Sequence, residues 1–240
     1  MAKLKVPSLQ HLARIWHPDP AVIKRVLIGL TKHGPTFSYE PLYGAVRDLL
    51  LLHVPYEQVL EGIRRGTKRD DVRENFLGVM PLIHEHFAGM SASFVQSVAP
   101  RYYPVGRELM IPFQPPLIYG AGGSIHFPWF SFWRSNPLAT ERLSLFVTIV
   151  DDVLLQDPDL EQAKFVILDF SAPSPKMSRQ LSVIQANQIP RMSDTRKAEM
   201  LATFAEGYAM ARSESQLSVR NEDLRDIDID DDQMGLFDPR

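Results

Sequence analysis

Leu9, Leu12 and Ile15 fall three residues apart, with Ser8 just ahead of them. That spacing predicts a helix through Trp16, apolar on one face and capped by Ser8. His17-Pro18-Asp19-Pro20 breaks it. A second helix is expected from about Pro20 to Lys32, with Pro20 tolerated in its first turn and a wide stripe of Val22, Ile23, Val26, Leu27 and Leu30. Gly34-Pro35 stops it. A third helix covers Pro41 to His53, and its run Leu49-Leu50-Leu51-Leu52 is apolar nearly all round, which predicts a central position. Pro55 starts a fourth, to Arg65, with Val59, Leu60 and Ile63 inward. A fifth runs from about Asp70 to Phe87, with a break or kink expected at Pro81.

Beyond Arg101 the helical period disappears and aromatic, Pro and Gly residues crowd together. Glu108 to Phe113, Leu117 to Tyr119 and Ser124 to Trp133 read as strands, with Gly120-Ala121-Gly122-Gly123 as a turn and Pro128 marking an edge or bulge. The aromatic run His126 to Trp133 reads as a sheet packed under helices rather than a base-stacking platform. Leu143, Phe146, Val147, Val150 and Leu154 return to helical spacing, so Ala139 to Leu155 is an amphipathic helix. Lys164 to Phe170 is a near-continuous apolar strand, as a buried strand would be, and Arg179 to Gln185 is its expected neighbour. Ser193-Asp194 begin a last helix to about Arg212, with Met200, Leu201, Phe204 and Tyr208 inward. After Ser213 the chain turns polar and acidic, and a disordered tail is expected.

The fold expectation is α+β: an N-terminal helical bundle followed by a small mixed α/β sheet domain and a disordered C-terminal tail. The divisions fall at residues 1–98, 99–213 and 214–240. Composition is compatible with this. The 240 residues are 45% hydrophobic and 23% charged, enough for a normal core. A net charge of −3 offers no global attraction for duplex DNA, so no direct sequence-specific nucleic-acid partner is expected. The absence of cysteine excludes disulfides, thiol catalysis and cysteine-bound zinc, and suits a reducing cytoplasm. No apolar run approaches a membrane span, and Met1 to Pro7 lack the apolar core of a signal peptide. A cytoplasmic location is expected.

Candidate chemistry is sparse. His84 and His86 are two apart on a helix and cannot share one ion. Arg64, Arg65, Lys68, Arg69 and Arg73 are interleaved with Asp70, Asp71 and Glu74, the pattern of a solvated face. The Gly120 to Gly123 turn lacks the Lys-Ser/Thr of a phosphate-binding loop, and no Gly-x-Ser-x-Gly occurs. Asp151 and Asp152 diverge on a helix. Asp169, at a strand end before Ser171, is the best lone catalytic candidate, although an Asp there more often caps a loop. No metal, cofactor or catalytic residue is therefore expected.

The order of elements in residues 105–212 resembles the nuclease core of RecB- and Cas4-like proteins, through Phe132-Trp133-Arg134 and Glu141-Arg142-Leu143-Ser144-Leu145-Phe146. Such nucleases hold a divalent metal with acids on neighbouring strands and a Lys. Here Phe132 stands where one acid is expected, Arg134 where the Lys is, and Pro115 and Pro116 in the region of the other acid. The resemblance implies a degenerate nuclease core without the chemistry.

The tail carries a stronger signal. Asp228-Ile229-Asp230-Asp231-Asp232 leads into Gln233-Met234-Gly235-Leu236-Phe237. Two adjacent large apolar residues on an acidic tether read as bait for another protein's pocket, with Leu236 and Phe237 contributing about 1.5–3 kcal/mol each when buried. Gln233 offers donors and an acceptor for a polar subsite. The spacing Gln-x-x-Leu-Phe resembles the peptide that binds the bacterial DNA polymerase III beta sliding clamp. The family pattern often has Leu and Ser or Asp where this chain has Met234 and Gly235. A small cytoplasmic protein with such a tail resembles the clamp-binding toxins of SocAB-type toxin–antitoxin pairs. That resemblance implies competition with polymerases, inhibition of replication elongation, and degradation by the ClpXP protease through a SocA-like adaptor antitoxin. Two alternatives stay open: a clamp-tethered nuclease-like DNA-processing enzyme, and a regulatory protein whose Leu236 and Phe237 fold back on its own core.

Overall fold

A computed structural model describes residues 4–33, 37–106, 108–135, 138–174 and 176–227. Five helices open the chain: α1 (Leu9–Ile15), α2 (Pro20–His33), α3 (Glu40–Leu50), α4 (Tyr56–Gly66) and α5 (Asp70–Phe87). Five strands follow: β1 (Phe94–Gln96), β2 (Arg101–Val105), β3 (Leu109–Phe113), β4 (Ile118–Ala121) and β5 (Ser124–Ser131). Then come α6 (Thr140–Leu154), β6 (Lys164–Asp169), β7 (Ser182–Gln185), a 3-10 turn at Ala186–Gln188, and α7 (Asp194–Ile227).

The result is a mixed α/β fold. One sheet runs in the order β1-β4-β5-β6-β7, and β2 with β3 makes a separate hairpin. β5 and β6 are parallel and joined through α6, while the other neighbours in the sheet are antiparallel. Gly122 and Gly123, at φ of 56° and 73°, close the two-residue hairpin between β4 and β5, a left-handed geometry that Gly adopts without a Cβ clash.

Side chains alternate across the sheet, and each set seeds one core. Phe127, Trp129, Phe165 and Ile167 share a core with Leu12 of α1, Ile23 of α2, Phe146 of α6 and Phe204 of α7. Phe130, Leu168 and Phe170 share the other with Val46 of α3, Ile63 of α4 and Phe76 of α5. The expected N-terminal bundle is thus divided: α1 and α2 lie on one face of the sheet, α3 to α5 on the other. An apolar stripe shows that a helix needs a partner, not which one, and here the aromatic sheet is the better partner for both groups.

Other expectations shift locally. β1 and β2 were not anticipated, because Phe94-Val95-Gln96 is short and Pro104 interrupts the second run. Ser8 occupies the N-cap of α1, but its carbonyl rather than its hydroxyl receives the His11 and Leu12 amides. In the leucine run Leu50 is fully buried while Leu52 is 59% exposed, because α3 ends at Leu50. Pro81 sits inside an uninterrupted α5, on its exposed side. Pro128 lies on β5 beyond His126, where the pairing with β4 has ended, so its missing N–H breaks no ladder there.

The last helix does not stop near Arg212. It runs to Ile227, 34 residues in all, a length of about 50 Å. Ala211 is buried, and residues 212–216 after it are not. Among those residues no helix is long and apolar enough to cross a membrane.

Candidate functional site

Parallel pairing brings the carboxyl ends of β5 and β6 together, and β7 enters the sheet at the same end. Such strand ends are where open α/β sheets present ligand crevices. The Phe170 amide donates to Ser131 and the Ala172 amide to Arg134, so pairing persists past both strands. The Gln180 amide then donates to the Ser171 carbonyl at 3.0 Å, which closes the loop leading into β7.

Arg179 locks this end. Its Nη1 donates to the carbonyls of Phe132, Trp133 and Phe170 at 3.1, 3.1 and 2.8 Å, and its Nη2 to Asn75 Oδ1 of α5 at 2.6 Å. One guanidinium thereby satisfies three strand-end acceptors and fastens them to a helix on one face. Burial pulls the pKa of Arg179 down, the nearby phenol of Tyr39 opposes that, Arg134 adds to the lowering, and Asp169 opposes it. Burial likewise raises the Tyr39 phenol.

A crevice of about 600 Å³ opens beside this lock, lined by Arg134, Ser135, Asp169, Ser171, Gln180 and Ser182 among others. Asp169 is 4% exposed and accepts from the Ser171 amide at 3.2 Å and the Ser171 hydroxyl at 2.9 Å. It therefore caps its own loop, the common role for an Asp at a strand end. Its register partner on β5 is Ser131, buried, whose Oγ has no hydrogen-bond partner. On the neighbouring α1, His11 packs 5.8 Å from the Trp133 ring, and the Arg14 guanidinium lies 4.8 Å over that ring.

A belt of polar contacts holds α6 to the chain that follows β7. Lys197 Nζ donates to Asp152 Oδ2 at 2.7 Å, and the Tyr103 hydroxyl donates to the same oxygen at 2.9 Å. Asp151 pairs with Arg191, and Glu141 with Arg196 at 2.6 Å. The two adjacent aspartates bind different partners, Asp151 the Arg191 guanidinium and Asp152 Lys197 and Tyr103, and each serves as an anchor.

The sequence-predicted residues fall in different places. Gln233, Met234, Gly235, Leu236 and Phe237 lie outside the described residues. Phe132 is 3% exposed and packs on Phe170 with ring centroids 5.3 Å apart, so it is core. Arg134 is exposed on the crevice, while Pro115 and Pro116 lie in the connection between β3 and β4. These positions bring no pair of carboxylates together. His84 stacks on Tyr56 at 4.1 Å, and among the described residues no group of three or more His, Asp or Glu is arranged to hold a metal. Arg65 pairs with Glu61, Arg69 with Asp71 and Arg73 with Asp70, as interleaved charges on a helical surface do. Arg179 was not anticipated as a lock. It was assigned to the strand, but β7 begins at Ser182, and the signal available was one Arg among short polar residues just ahead of that strand.

In comparisons with protein-family models, curated proteins and solved structures, nothing matches this chain.

Proposed function

We propose that this chain is an interaction protein that docks on the bacterial DNA polymerase III beta sliding clamp through Gln233, Met234, Gly235, Leu236 and Phe237. The motif itself carries the reading: an amide and two adjacent apolar anchors at the end of an acidic run. The architecture is compatible with it. Helix α7 continues to Ile227, about 24 Å beyond the buried Ala211. The motif begins six residues further on. A peptide of this kind binds a partner's pocket while the folded body blocks competing polymerases from the ring. In a cytoplasm this inhibits replication elongation, the action of a toxin in a toxin–antitoxin pair, with a SocA-like adaptor antitoxin delivering it to ClpXP. Affinity for purified clamp before and after Gln233→Ala and Phe237→Ala tests the contact. Unchanged binding in both variants overturns it.

The strand order β4-β5-α6-β6 favours a second reading, a clamp-tethered enzyme on a degenerate RecB/Cas4-like core. Metal-dependent DNA cleavage that persists after deletion of residues 230–240 supports the enzyme; absence of cleavage removes it.

A further inference from the structure

We propose that the crevice at the carboxyl ends of β5 and β6 binds a protonated phosphate oxyanion, either inorganic phosphate or the monoanion of a phosphomonoester. The frame is rigid before any ligand arrives. Arg179 ties both strand ends to α5, and the Gln180 amide closes the loop on Ser171. A preformed crevice gives up little ordering entropy on binding.

Charge selects an anion. Arg134 and Asp169 lie on the crevice wall, and the Arg179 guanidinium, bonded to the Phe170 carbonyl, is close enough to feel both charges. The lining pairs one Arg with one Asp, and the adjacent Arg179 tips this neighbourhood positive although the whole chain carries −3. The remaining wall is rich in donors: the hydroxyls of Ser135, Ser174 and Ser182 and the side-chain amide of Gln180. Hydroxyl, amide and guanidinium donors suit a compact oxyanion, and the guanidinium matches two of its oxygens at once.

Asp169 decides which oxyanion. Each carboxylate oxygen already accepts one hydrogen bond from Ser171, and each retains a further lone pair. A carboxylate in the wall repels a fully ionised anion but accepts a hydrogen bond from one that keeps a proton. Inorganic phosphate keeps a proton at neutral pH, and a monoester, with a second pKa of about 6, keeps one as the pH falls toward that value. Sulfate and the phosphodiesters of nucleic acid do not. Ser131, the register partner of Asp169, keeps a buried hydroxyl without a hydrogen-bond partner next to this site.

The test is calorimetric titration of the full chain with sodium phosphate in a phosphate-free buffer. Parallel titrations use sodium sulfate, a nucleoside monophosphate and a single-stranded oligonucleotide lacking terminal phosphates. Saturable one-site phosphate binding is expected, weakened about tenfold or more in Arg134→Gln, an exposed position whose loss leaves the core intact. Ser135→Asp, also exposed, is expected to abolish it. Sulfate is expected to bind at least about tenfold more weakly than phosphate, because it lacks the shared proton. Competition by the nucleoside monophosphate, strengthening toward about pH 6, assigns the site to monoesters; its absence assigns it to inorganic phosphate. Failure of phosphate to saturate, equal affinity in Arg134→Gln, sulfate binding as tightly as phosphate, or binding of the oligonucleotide alone overturns the proposal.

Discussion

Gly207 of α7 meets Ile23 of α2 so closely that a Cβ at position 207 would stand 2.8 Å from Ile23 Cβ and 2.8 Å from the Pro20 carbonyl oxygen. Neither neighbour is the free end of a long side chain, so added volume pushes the helices apart. Gly207→Ala is expected to destabilise by about 1–3 kcal/mol despite its gain in helix propensity. Urea unfolding followed by circular dichroism measures it. An unchanged or raised midpoint would show that α2 and α7 have room to yield.

Arg179 should matter more than any surface arginine. Arg179→Met strands three strand-end carbonyls and the Asn75 amide oxygen, and is expected to cost about 2 kcal/mol or more. Arg65→Met, which removes an exposed pair with Glu61, should stay within about 0.5 kcal/mol. Equal losses in paired thermal melts would refute the lock.

Acid should loosen the fold through His11. Burial, and secondarily the Arg14 charge, lower its pKa below the ordinary 6.5, and its Nδ1 is buried without a partner. Below 6.5 the unfolded chain therefore binds a proton more readily than the folded chain. Stability falls as pH drops through that value and levels once the folded-state pKa is passed. Above it this group contributes no pH dependence. Burial lowers His86 in the same direction. His11→Gln should flatten part of the slope between about pH 6.5 and 5 in denaturant titrations. An identical slope would place the sensitivity elsewhere.

If the proposed clamp contact holds, Phe237→Ala should cost at least about 2 kcal/mol, the size of a hot-spot truncation. A synthetic peptide spanning residues 228–240 should retain affinity within about tenfold of the full chain, since the anchors are contiguous. Fluorescence anisotropy with purified clamp measures both. A peptide that fails to bind while the full chain succeeds would move the contact to the folded body.

Much of the secondary structure was legible because apolar spacing reports it directly. The Val-Ile-Leu run before Asp169 announced a buried strand, and Leu143 through Leu154 announced α6. What spacing does not carry is the partner of each face. Leu12 and Ile23 look like bundle residues in isolation, and only the sheet's supply of Phe127, Trp129 and Phe165 shows where they belong. Short elements such as β1 were invisible for a related reason: three residues hold no period, and Phe94 owes its place to Gly120, whose missing Cβ makes room for the ring. The crevice was half legible. Asp169 and Arg134 were singled out separately, but their meeting depends on the parallel register of β5 with β6, a tertiary fact. The proposed clamp-binding segment is legible only in sequence, since Gln233 to Phe237 lie outside the described residues.

The seating of α2 against α7 also sets an order of events during synthesis. Ile23 leaves the ribosome roughly 180 residues ahead of Gly207, a delay of roughly 10–40 s at about 5–20 residues per second. Throughout that interval the apolar stripe of α2 lacks the surface it is shaped for. The nascent chain is therefore a natural client for chaperones until α7 has emerged to dock on α2.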